Sequence, residues 1–201
     1  MKITGVAMMA AAIGTSVWAG SLPAGQSQVT VCMTGLPDAY VDKLAKATAT
    51  KIFAGIGVKI QWRRGAKNCP TEAIFITFSD STPASLHPGA LAYARPYEGT
   101  HILVFYDRVS NTVASSIVPF LLGHVIAHEI THILQGVARH SDQGLMKPRW
   151  GAADYDEMAR KPLPLTDQDV LLIYRGLQSR EAHLSDTVIA AVNPASVPDS
   201  N

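Results

Sequence analysis

Charge is scarce in this chain, and neither sign of it dominates. Charged residues are 16% of the 201, with 17 Lys and Arg against 16 Asp and Glu. Nothing in that balance steers the protein toward nucleic acid or an anionic membrane surface. Cysteine is scarcer still. Cys32 and Cys69 are the two present, no CxxC pair exists, and a thiolate zinc site is therefore not supported. Long apolar runs are also missing. The one at Gly5 to Val17 is shorter than the roughly 20 residues that span a bilayer, so no membrane span is expected. Internal repeats and long linkers are absent too.

That short run has another use. Met1-Lys2 gives it a positive start, and Val17-Trp18-Ala19 offers the small residues a signal peptidase accepts. Residues 1–19 thus read as a secretory signal peptide cut after Ala19, and the mature protein is expected to be secreted or periplasmic. Losing Lys2 brings the formal charge to zero. In an oxidising compartment the two cysteines are expected to form a disulfide.

The remainder is one domain, residues 20–186, followed at 187–201 by a patternless tail with two prolines that is expected to be disordered. Strands are expected at Gln28–Met33, Val58–Trp62, Ala73–Phe78, Ala90–Ala94 and His101–Tyr106 from their β-branched and alternating residues. A helix opens at Pro37-Asp38 and runs to Gly55, with Val41, Leu44, Ala45, Ala47, Thr48 and Ile52 as its inner face. A long apolar helix spans Ile117 to Gln135, with Ser115 or Ser116 as its cap, Pro119 in its first turn and Gly136 past its end. A last helix spans Thr166 to Arg180, opened by Thr166 and Asp169 in a capping arrangement. The order describes an α+β domain with a mixed sheet covered by helices.

The chemistry lies on the long helix, at His128-Glu129-Ile130-Thr131-His132. Histidines four apart share one helix face and can take two corners of a tetrahedral zinc. Glu129 beside them can take a proton from a zinc-bound water. Seven His and five Glu in this length would produce the pattern by accident about 0.006 times. The helix is otherwise apolar, and two imidazoles and a carboxylate are costly to bury without a partner. Zinc supplies one. The chain can turn at Gly136 and bring back His140 as third ligand, with Glu157, Asp154 and Asp142 as its competitors.

The run His128 to His132, Gly136, His140-Ser141 and Leu145-Met146 resembles the metzincin clan of zinc peptidases, the matrixin-like branch in particular and the general look of secreted bacterial zincins. That pattern is H-E-x-x-H-x-x-G-x-x-H followed by a Met in a turn. Here the glycine falls one residue later and the third histidine two residues later. Gly89 to Pro96 is similar to the matrixin edge strand, and Thr166 to Asp169 to the start of its last helix. The resemblance implies a zincin-like fold, Zn2+ on His128, His132 and His140, Met146 in the turn, and a peptide or protein substrate lying as an extended strand along Ala90–Ala94. It implies a zinc metallopeptidase, an endopeptidase by preference, with Glu129 as general base. Two rivals remain open: a non-catalytic zincin-fold binding protein, and a zinc hydrolase of a non-peptide, cell-wall substrate.

Overall fold

Alternation of apolar and polar residues builds five strands with one apolar face. In the computed structural model, which describes residues 27–192 apart from Gly35, Pro37, Ala66 and Asn68, these are β1 (Gln28–Met33), β2 (Lys59–Arg64), β3 (Ile74–Ser79), β4 (Ala92–Ala94) and β5 (His101–Phe105). Val29, Val31, Ile60, Ile74, Ile76, Ala92, Ala94, Ile102 and Val104 are buried on the inward face. Gln28, Lys59, Thr77, Tyr93 and His101 point the other way, in step with the two-residue period. The strands form one sheet in the order β2-β1-β3-β5-β4. Its first four members are parallel, and β4 is antiparallel to β5 at one edge.

Two helices close the inward face: α1 (Ala39–Ala54) and α3 (Val118–Gln135). Asp38 caps α1, its Oδ1 accepting from the N–H groups of Tyr40 at 2.8 Å and Val41 at 3.2 Å. The inner face of α1 is Val41, Ala45, Ala49, Ile52 and Phe53. Ala47 faces solvent, so the apolar stripe lies to one side of the expected one, where Phe53 completes it. α3 is buried on every side except at Phe120. That is the fate of a helix apolar all round. Neither Ser115 nor Ser116 caps it. Ile117 does so with no side-chain bond, while Pro119 sits in the first turn, where an amide hydrogen would have no helical partner.

Two short helices were not expected, α2 (Tyr106–Thr112) and α4 (Ala152–Met158). The final helix, α5 (Asp167–Val192), runs past Arg180, so residues 187–192 are helical, not part of a disordered tail. Thr166 and Asp169 do form the expected reciprocal cap: Asp169 Oδ2 accepts from Thr166 N and Oγ1, and Thr166 Oγ1 accepts from Asp169 N. α5 crosses the end of α3 at Gly176, where a Cβ would lie 1.6 Å from the Leu134 carbonyl oxygen. Only glycine allows that approach.

β4 is shorter than the expected Ala90–Ala94. Its start is lost to a loop gathered by Arg108, whose guanidinium donates to the carbonyls of Pro83, Leu86, His87 and Ala90. Cys32 and Cys69 are joined in the expected disulfide. The signal-peptide segment and the tail from Asn193 lie outside the described residues.

Candidate metal centre

One turn of α3 separates His128 from His132, and main-chain carbonyls fix both rings. The Nδ1–H of His128 donates to the Leu145 carbonyl at 2.9 Å, and that of His132 to the Val137 carbonyl at 3.2 Å. A carbonyl can only accept, so both rings carry their proton on Nδ1 and leave Nε2 as a bare lone pair. The two Nε2 atoms stand 3.1 Å apart. The chain then turns at Gly136, whose φ of 67° is a left-handed conformation that glycine reaches without cost. It returns with His140, whose ring centroid lies 5.3 Å from that of His128 and 4.9 Å from that of His132. Donor atoms of all three residues fall within 4.8 Å of one another, a group that could hold a metal ion.

Electrostatics agree with that geometry. Burial, and then the neighbouring imidazoles, push His128 down to about 3 and His132 to about 4. Burial lowers His140 as well. All three are neutral at pH 7. Two neutral lone pairs facing each other at hydrogen-bond distance repel, and a cation between them removes the conflict. Three imidazoles and no thiolate form a donor set suited to zinc with one corner left open. The competing acids are engaged elsewhere. Asp154 accepts from Lys147 at 2.7 Å and from the Gly151 N–H at 2.8 Å, and Glu157 pairs with Lys161 at 3.2 Å. Neither they nor Asp142 belong to the cluster.

Glu129 lies beside the rings at the floor of a cleft of about 530 Å³. It is 8% exposed. Burial raises its carboxyl to about 8, opposed by a hydrogen bond from the Ala94 N–H. β4 forms the cleft's wall. Because Phe105 N bonds Leu91 O and Arg95 N bonds His101 O, the residues between, Ala92 and Ala94, turn their backbone groups away from β5. Ala94 spends its N–H on Glu129. The Ala92 N–H and C=O and the Ala94 C=O face outward.

Met146 is fully buried in the core, and its carbonyl accepts the Ser141 N–H at 2.7 Å. It thus ends the turn that carries the Leu145 carbonyl to His128. Trp150 packs edge-on against His128 at 5.4 Å, and with Tyr155 it lines the cleft. His124 is a satisfied core residue: Nδ1–H donates to Phe120 O at 2.7 Å, and Nε2 accepts the Leu163 N–H at 3.0 Å. Tyr97 is largely exposed and lies off the cleft. Sequence reasoning missed Asp169, seen only as a cap. Its carboxylate is fully buried and also accepts from Arg139 Nη1 and Ser141 Oγ, each at 2.8 Å. An acid as third residue of α5, three beyond Thr166, was the one available signal, and it points only to the cap.

No protein-family model matches the chain, and no curated protein matches it. Among solved structures, its fold is similar to that of archaemetzincin from Methanopyrus kandleri. The TM-score is 0.54 at 12% identity, over 79% of this chain and 99% of that one. The likeness is one of fold, α+β and zincin-like.

Proposed function

We propose that the protein is a secreted zinc-dependent peptidase that cleaves internal peptide bonds. One observation carries the reading: three imidazoles converge within 4.8 Å, beside a buried carboxylate, on the floor of a cleft walled by a strand edge. Zinc on His128, His132 and His140 would supply Lewis-acid chemistry, acidifying a water and polarising a carbonyl. The chain's own groups do the rest. Glu129 accepts a proton from the attacking water on a carboxylate oxygen, then delivers it to the nitrogen of the departing amine. Burial raises that carboxyl in the metal-free chain, and a zinc ion held beside it would favour the ionised form that accepts the proton. An extended peptide pairs with the outward backbone groups of Ala92 and Ala94 and so brings one carbonyl beside the histidines. Neutral, carbonyl-anchored His128 and His132 need release no proton to bind the metal.

The leader expected at residues 1–19 and the Cys32–Cys69 disulfide support an oxidising compartment. The decisive experiment is Glu129→Gln on the full chain, with zinc content and hydrolysis of an unstructured protein measured together. Zinc retained with hydrolysis lost supports the reading, and products cut at internal bonds support an endopeptidase. Hydrolysis near the wild-type rate in the variant would remove Glu129 from its role.

A further inference from the structure

The three histidines are not held alike. His128 and His132 each have Nδ1 tied to a carbonyl and sit on a helix buried on nearly every side. His140 is exposed and lies on a loop, and among the described residues no hydrogen bond orients its ring. Zinc nonetheless needs its nitrogen fixed to within a few tenths of an ångström. Something must hold the backbone around it.

The residues on either side supply the hold. Arg139 and Ser141 both bond Asp169 Oδ1 at 2.8 Å, and they bond each other at 3.2 Å. The Ser141 N–H is fixed to the Met146 carbonyl. Asp169 Oδ2 is bonded by Thr166. One buried carboxylate on the first turn of α5 therefore closes both ends of the peptide that carries His140. Burial alone would push that carboxyl up, but hydrogen bonds from Thr166, Ser141 and Arg139 outweigh it and keep Asp169 ionised. The loop has two residues more between its second and third histidines than the metzincin pattern. Extra chain has more conformations to lose, and a clamp is the remedy.

We infer that Asp169 is the positioning residue of the metal centre, acting through Arg139 and Ser141 to present His140 as the third ligand. This rests on the zinc-site reading above. Outer partners of metal ligands commonly govern 10- to 100-fold of affinity, and a clamp on the least restrained ligand belongs in that range.

The test uses Arg139→Gln/Ser141→Ala in the full chain, because these changes leave the Thr166–Asp169 cap intact. Zn2+ affinity is measured against a chromophoric chelator, and Co2+ visible absorption reports the geometry. Both are repeated in a His140→Ala background. The expected result is roughly a 10- to 100-fold loss of affinity with weakened Co2+ absorption in the first background, and no further loss in the second. An equal loss in both backgrounds would mean that the clamp acts on the fold at large, and the inference fails. Undiminished affinity and an unchanged spectrum also overturn it. A wild-type chain that binds no Zn2+ overturns the metal-centre reading itself, which is a distinguishable result.

Discussion

Three groups at the centre of the molecule hold protonation states opposite to those they would have in water near about pH 6. His128 and His132 are neutral and Glu129 is protonated, because burial penalises each charged form. In the metal-free protein these shifts have opposite signs in pH. The imidazoles take up protons near 6.5 when unfolded but only near 3 and 4 when folded, so stability is lost as pH falls below 6.5. The carboxyl gives up its proton near 4.5 when unfolded but near 8 when folded, so its contribution is lost as pH rises from 4.5 through 8. Below 6.5 two imidazoles outweigh one carboxyl, and above it the carboxyl acts alone. Thermal unfolding of the metal-free protein should therefore peak near pH 6.5, and Glu129→Gln should flatten the alkaline side. An unfolding temperature flat from about pH 5 to 8 would contradict the burial argument. The histidine pair was legible in the sequence because a four-residue spacing is local helix geometry. Asp169 was not, since its partners Arg139 and Ser141 lie on another part of the chain and no local pattern links them.

Elements meet here at contacts with little tolerance. At Gly176, α5 presses on the end of α3, and Gly176→Ala sets a methyl against the Leu134 carbonyl. A loss of about 1–3 kcal/mol is expected from overpacking, read as a lowered midpoint in denaturant. An unchanged midpoint would show that the helices separate freely. The β4 edge offers a second test. Because the Ala92 N–H faces away from β5, Ala92→Pro removes an outward donor without breaking the sheet ladder. KM for an extended peptide should rise about 5- to 10-fold, the effect of roughly 1 kcal/mol from one hydrogen bond, with kcat little changed. A KM at the wild-type value would place the substrate elsewhere. Long periodic elements such as α1 and α3 could be read from their residues. α2 and α4 could not, being too short to show a period, and the start of β4 was misjudged because Arg108, distant in sequence, draws its carbonyls away.

At the scale of the whole molecule, the disulfide and the metal centre act on opposite sides of the sheet. Cys32 alternates with the inward Val31 and Met33 and so projects to the far face, away from α3. Closing a loop of 37 residues contributes about 4 kcal/mol on the chain-entropy model. The Cys32→Ala/Cys69→Ala variant should lose about that much in denaturant titration while binding Zn2+ with unchanged affinity. Loss of metal binding in the folded variant would show the two sites to be coupled. Neither the strand order nor the parallel pairing could be read from the chain, since both arise from crossovers that bring distant segments together.

Among the described residues, the same order leaves the sheet with two open borders, at β2 and β4. Unpaired strand borders invite copies of a protein to stick together. On β2 the invitation is withdrawn by charge, with Lys59, Arg63 and Arg64 along it. On β4 charge is absent, as a border proposed to receive a substrate strand requires. Brevity protects it instead: three residues, one amide already given to Glu129, and Arg95-Pro96 following at once. Such a border would suffice for the proposed guest beside the histidines and is too short to seed a growing aggregate.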